Sequence, residues 1–328
     1  MNSFGHDFRI AVWGESHGEG IGLTLDGVPA GMPLAVEDFA ADLARRRGGA
    51  PGTTPRREED IPRILSGLFR GHTTGAPLTL FFANGNTRPE DYPAPLHFRP
   101  SHADRTARIK YGGFNDPRGG GAFSGRLTVA LVAAGTVAKK LLPGISLQSR
   151  LTAVGGCTEP QRFEETIRRA IEERDSAGGV VECRASGVPA GLGEPFFDSA
   201  ESLIAHLLFA IPAVKGVEFG DGFAAAARTG SRNNDPILDA AGRTATNHDG
   251  GINGGITNGN ELVVRAAVKP TPSIGLPQTT FNAATGRCEE LAIGGRHDAC
   301  IALRAAVVVE AAVAIALADL TLTAHRLP

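Results

Sequence analysis

Apolar positions along this chain fall into two kinds of run. The short runs, bounded by glycines, prolines and polar turns, predict strands at Phe8–Trp13, Ile21–Leu25, Arg63–Ser66, Leu78–Phe82, Ser146–Val154, Val180–Ala185, Gly216–Phe219 and Leu262–Val268. The longer runs predict helices at Val36–Arg47, Arg126–Leu142, Phe163–Ser176, Ser199–Ala210 and Cys300–Leu322. Two of these, Arg126–Leu142 and Cys300–Leu322, are almost wholly Ala, Val and Leu. A helix apolar on every side belongs inside, so both should form a middle layer beneath sheets. Each follows a glycine-rich loop (Gly119 to Gly121, then Gly294-Gly295) and begins near an arginine, a likeness that points to internal duplication. No linker separates the halves, which favours one compact α+β unit over residues 1–328.

Composition narrows the class. With 328 residues, 42% of them hydrophobic, the chain can bury a large core, and 43 glycines and 21 prolines require many shaped turns. A formal net charge of −2 and 6% aromatic residues give no general attraction to nucleic acid or anionic membrane. Cys157, Cys183, Cys288 and Cys300 form no CxxC pair and read as free thiols of a reducing compartment. The start of the chain carries His6, Asp7 and Arg9, unlike a signal peptide, and the apolar stretch Ala305–Leu320 is broken by Glu310 and Asp319. These features predict a soluble cytoplasmic protein.

Candidate chemistry lies in the loops. Gly14-Glu15-Ser16-His17 sits between two strands, where backbone is exposed and a histidine can exchange a proton near neutral pH. Arg45, Arg46 and Arg47 end a helix, and Arg56 and Arg57 follow in a Pro-Gly-Thr-Thr-Pro loop; such a group either solvates a surface or converges on phosphate or carboxylate. A second basic cluster, Arg105, Arg108, Lys110 and Arg118, leads into Gly119-Gly120-Gly121 and Ser124, whose backbone amides could face an anion. His102 lies in a polar loop, Arg99 to Asp104, and Asp298 follows Gly294-Gly295-Arg296-His297, where an aspartate commonly caps a helix. The spacing matches no Walker loop, no GxGxxG, no GxSxG elbow and no metal-binding HxxxH or HExxH.

In sequence order, Gly14 to Gly18 with Asp26-Gly27-Val28-Pro29, Arg45 to Arg47, Arg56-Arg57-Glu58, Arg99 to Asp104, Gly119 to Gly121 with Ser124-Gly125-Arg126, Ala185 to Pro195, Ala213 to Glu218, Lys269 to Ser273 and Gly295 to Asp298 resemble the motifs of the chorismate synthase family. The resemblance is collinear from Phe8 to the last helix. It implies a β-α-β sandwich with central helices between antiparallel sheets, internally pseudo-repeated and assembled as a homotetramer. It implies a lyase that converts 5-enolpyruvylshikimate 3-phosphate to chorismate and phosphate by 1,4-anti elimination, with reduced FMN and no net redox change. In the family's terms His17 would protonate the departing phosphate, His102 would lie by the flavin N1/C2 edge, and Asp298 would sit near flavin N5, assisting it as the base. Arg45, Arg46, Arg126 and Arg296 would clamp the substrate. Lys269, Pro270, Thr271, Pro272 and Ser273 would wrap the flavin, with Ser124, Ala213, Gly254 and Arg296 contributing to its site.

The sequence departs from the family at Ser101, where glycine is usual, at Ala299, where proline is usual, and at Ala122-Phe123, where the pair is usually Arg-Ser. Its arginine-rich loop is also shorter near Pro51. Two other activities compete with the lyase: a flavin-binding protein without turnover, and an NAD(P)H-dependent flavin reductase. The absence of a dinucleotide fingerprint favours a lyase that takes reduced FMN from an external source.

Overall fold

Two antiparallel sheets enclose a layer of helices in this computed structural model, which describes residues 2–87, 96–295 and 297–324. The first half of the chain supplies β1 (Ser3–Phe4), β2 (Arg9–Gly14), β3 (Gly20–Asp26), α1 (Ala40–Arg46), β4 (Arg63–Ser66), the hairpin β5 (Leu68–Phe69) and β6 (His72–Thr73), then β7 (Leu78–Ala83), α2 (Asp104–Lys110) and α3 (Thr128–Lys140). The second half supplies β8 (Ser146–Val154), α4 (Phe163–Glu172), β9 (Gly179–Ser186), α5 (Ala200–Ala210), β10 (Val214–Phe219) and a single turn α6 (Gly230–Asn233). The hairpin β11 (Ile252–Asn253) and β12 (Ile256–Thr257) follows, then β13 (Leu262–Val268), the hairpin β14 (Gln278–Asn282) and β15 (Arg287–Leu291), and α7 (Ala302–Ala324).

The duplication is visible in the topology. The first sheet runs β1-β2-β3-β7-β4 and the second β8-β9-β13-β10, so without β1 the two share one strand order. Each half also carries the same pentapeptide, Gly27 to Gly31 and Gly187 to Gly191, directly after its second long strand. In the first, the Thr73 hydroxyl donates to the Pro29 carbonyl at 2.6 Å and accepts from the Met32 amide at 3.0 Å. In the second, the Thr257 hydroxyl donates to the Pro189 carbonyl at 2.7 Å and accepts from the Leu192 amide at 2.9 Å. Both threonines end the second strand of a two-residue hairpin, so a single hydroxyl ties each turn to its hairpin. Sequence reading placed the duplication in the two apolar helices and passed over this clearer repeat.

Those helices meet in the middle. α3 and α7 pack on one another, with α3 against β2 and β3 and α7 against β8 and β9. Their closest approach needs a glycine: a Cβ on Gly135 would lie 2.4 Å from that of Ala311. By length and composition α7 could cross a membrane, but 83% of its most apolar stretch is buried inside the protein. Its two acids are both partnered. Glu310 accepts from both Arg45 guanidinium nitrogens at 2.8 Å, from Lys139 at 2.6 Å and from the Ser149 hydroxyl at 2.8 Å. The Asp319 carboxylate accepts backbone N–H groups of His6, Asp7 and Phe8 and so fastens the start of the chain to the helix layer.

Several elements differ from the expectation, three of them instructively. The polar segment expected as a loop runs into a helix, α2, that begins at Asp104, whose carboxylate is held by Arg99. The helix expected to reach Ser176 stops at Glu172. It ends in a reversal in which Arg174 takes a left-handed φ of 58° and the Asp175 amide bonds back to Ala170. Glycine usually marks that turn, so an arginine there gave no signal. The hairpin β14–β15 was not anticipated, since Gln278–Asn282 and Arg287–Leu291 lack a continuous apolar run.

Candidate active site

A cavity of about 630 Å³ opens where the loops that follow β2, α1, β7 and β13 meet the starts of α3 and α7. Among the described residues, eight cationic side chains line it (Arg46, Arg47, Arg56, Arg99, Arg126, Lys215, Lys269 and Arg304), against three carboxylates, Glu58, Asp60 and Asp298. Such an excess in a partly dry site favours a polyanionic occupant.

The glycine loop sets the two histidines on either side of itself. Gly119, Gly120 and Gly121 all have left-handed φ values, 58°, 82° and 51°. A Cβ on Gly119 would lie 2.3 Å from the His17 ring, and one on Gly120 would lie 3.5 Å from His102 Nε2. Glycine here serves close approach, so the loop can pass between Ser16-His17 and His102. His17 is buried, with Nδ1 3.3 Å from the Ser16 hydroxyl. Ser16 is held in turn by Arg56, which donates to its hydroxyl at 3.0 Å and its carbonyl at 3.1 Å, while Glu58 fixes Arg56 at 2.7 Å. Ser16 and Gly119 line the cavity; His17, expected at the site, is not itself among the lining residues and packs its ring against Gly119.

Asp60 organises two of the arginines. Its carboxylate accepts from Arg46 at 2.7 Å and from Arg126, and Arg126 also donates to Asn84 at 3.0 Å. Burial alone would raise the Asp60 carboxyl, but the charges of Arg46 and Arg126 outweigh it and hold it below its ordinary value. Arg46 is pushed the other way: burial, with Arg304 and Arg126 nearby, brings its guanidinium down to about 10 despite Asp60. Its Nε is buried with no hydrogen-bond partner. Asp60, with Asp298 on Arg304, leaves an excess of positive charge here, which favours binding an anion.

Asp298 does not cap α7. Its carboxylate accepts from the Thr54 amide at 2.9 Å and from Arg304 at 3.0 Å, and Arg304 donates to the Arg46 carbonyl at 2.9 Å. It therefore joins the start of α7 to the loop after α1 across the cavity wall. The far wall is tied similarly: Lys269 donates to the Ser101 carbonyl at 2.6 Å and Arg99 to the Ser273 hydroxyl at 3.1 Å. The Thr271 hydroxyl on that wall is buried without a partner. Three non-glycine residues of the lining, Asp60, Ser101 and Ala213, hold left-handed φ values of 54°, 57° and 77°. Strain of this kind gathers where geometry matters to function.

Of the residues expected at the site, the cavity brings together His102, Asp298, Arg46, Arg126, Ser124, Ala213, Lys269, Thr271, Pro272 and Ser273. Others stand elsewhere. Arg45, expected to clamp substrate, instead grips Glu310 of α7, because the end of α1 points it toward the second sheet while Arg46 points to the cavity. Gly254 lies at the tip of the hairpin β11–β12, and Pro270 packs near Gly178. Arg296 lies outside the described residues. Sequence reading assigned no role to Asp60, Arg304 or Lys215. A charge in the first turn of the otherwise apolar α7 was a usable signal for Arg304; Asp60 offered none.

The family model described as chorismate synthase matches residues 8–322. A chorismate synthase of Chitinophaga pinensis is 58% identical over 99% of this chain and 98% of its own. One from Dehalococcoides mccartyi is 46% identical over 100% of this chain and 98% of its own. A solved structure titled as the crystal structure of chorismate synthase aligns with a TM-score of 0.76 at 31% identity, covering 98% of this chain and 93% of that one.

Proposed function

The chain belongs to the chorismate synthase family, a lyase of the shikimate pathway, and from that premise we propose how its cavity performs the elimination. The substrate is 5-enolpyruvylshikimate 3-phosphate, and the 1,4-anti elimination releases phosphate and a proton from C6. The observation that carries this reading is the cavity lining, eight cations to three carboxylates among the described residues, with His102 and Asp298 both facing the cavity. Arg46 and Arg126, oriented by Asp60, bind the anionic groups of the substrate. His17 donates a proton to the departing phosphate from behind the glycine loop. Asp298, held by Arg304 and Thr54, receives the proton that leaves C6. The surrounding arginines stabilise the charge that develops on the leaving group.

The residues also suit FMN. Lys269, Lys215 and the unpartnered Thr271 hydroxyl fit its phosphate or ring oxygens, with Ser124, Ala213, Pro272 and Ser273 beside them. Reduced FMN, when bound, supplies electron density to the substrate ring transiently and leaves no net oxidation. His102 keeps a ring nitrogen toward this space and holds the charge state of the bound flavin. The enzyme is cytoplasmic, assembles as a homotetramer and draws reduced FMN from another source. The test is anaerobic: with dithionite-reduced FMN, chorismate and phosphate form in equal amounts, and with oxidised FMN neither forms. Equal rates with both flavins, or no product with either, overturn the proposal.

A further inference from the structure

His102 is backed by a carboxylate that is itself clamped. Its Nδ1 lies 2.6 Å from Asp104 Oδ1, the first residue of α2. Arg99 donates to both oxygens of that carboxylate at 2.7 Å, and its backbone amide adds a bond at 3.2 Å. The third arm of Arg99 reaches Ser273, in the loop after β13, at 3.1 Å. Arg99 is 6% exposed, and His102 and Asp104 are partly buried beside it. Burial would raise the Asp104 carboxyl, but Arg99 and His102 hold it far below its ordinary range, so it remains an acceptor.

We propose that Asp104 is the positioning residue for His102: it accepts a hydrogen bond from Nδ1–H, fixes the tautomer, and leaves Nε2 facing the glycine loop and the cavity. A carboxylate that orients a histidine controls which nitrogen carries the proton, and an amide in its place can stabilise the other tautomer. Arg99 completes the device by holding both carboxylate oxygens, so the histidine ring has one orientation. The inference rests on the assignment of His102 to the elimination.

A double-mutant cycle separates the two. Asp104→Asn is expected to lower kcat about ten- to a hundredfold, the scale found for carboxylates that orient metal-bound histidines, with KM nearly unchanged. In a His102→Ala background the same substitution should change kcat less than twofold, because no ring remains to orient. An equal loss in both backgrounds makes Asp104 merely structural and overturns the proposal, leaving the role of His102 intact. Full turnover of His102→Ala alone removes His102 from the reaction, and this inference with it. Should Asp104→Asn not fold, by loss of a cooperative melting transition, Asp104→Glu carries the same cycle. It keeps the charge on Arg99 and displaces only the oxygen that meets Nδ1.

Discussion

At the scale of the residue, the acids and bases of the cavity differ in how they are held. His17 is buried against Gly119, so His17→Ala leaves a gap and costs stability as well as proton donation. His17→Gln keeps the volume. It should retain a near-normal melting temperature while turnover falls by roughly a hundredfold or more, as expected for loss of a general acid. Normal turnover would remove His17 from the mechanism. Asp298→Asn is the sharper case. Asparagine can still accept from the Thr54 amide, so the protein should fold and bind FMN and substrate. It gives up the ion pair with Arg304 and cannot take a proton, so phosphate release should become slow. Wild-type turnover under anaerobic, reduced-flavin conditions would return Asp298 to a purely architectural role.

At the scale of the element, α7 illustrates how an apolar helix carries charge. Glu310 lies between Arg45, Lys139 and Ser149, and although burial raises its carboxyl, those partners bring it down to about 2 from the ordinary 4.5. A depressed folded-state value means that ionised Glu310 stabilises the fold above the unfolded value. That contribution is lost as pH falls from about 4.5 through about 2. Glu310→Gln removes the dependence, so its stability should fall less steeply with acid across that window, although it is lower at pH 7. Denaturant midpoints measured from pH 7 to pH 2 check this; parallel curves for wild type and variant would show that Glu310 does not drive acid unfolding. The same residue explains Arg45. Its partner lies in the helix layer, so the guanidinium is turned to a buried carboxylate and stands outside the cavity lining.

At the scale of the whole molecule, large apolar side chains remain on the outside. Phe114, Phe196, Phe197 and Phe223 are 96%, 85%, 89% and 81% exposed, and Trp13 stacks with Phe81 on the outer face of the first sheet. Exposed aromatics in such number suit surfaces that another chain covers. Light scattering at micromolar concentration should give a mass about four times 34.1 kDa. A monodisperse monomer would overturn the tetramer.

Periodicity and motif order were enough for most of the architecture. The apolar run of α7 announced a helix, and most strands of both sheets lie close to the short apolar runs that announce them. The collinear motifs located the cavity residues His102, Arg46, Arg126, Asp298 and Lys269, because each sits in a short segment whose composition is unusual by itself. Tertiary structure decided what those residues touch. Arg45 and Arg46 are adjacent in sequence but diverge by about 100° around a helix, so one meets Glu310 and the other Asp60. Asp60 lies between two arginines from distant segments. No local pattern encodes that meeting, nor the Thr54 amide on Asp298 or the clamp of Arg99 on Asp104. Sequence spacing sets which face an element buries; the partner of a buried charge depends on which distant segment the fold brings beside it.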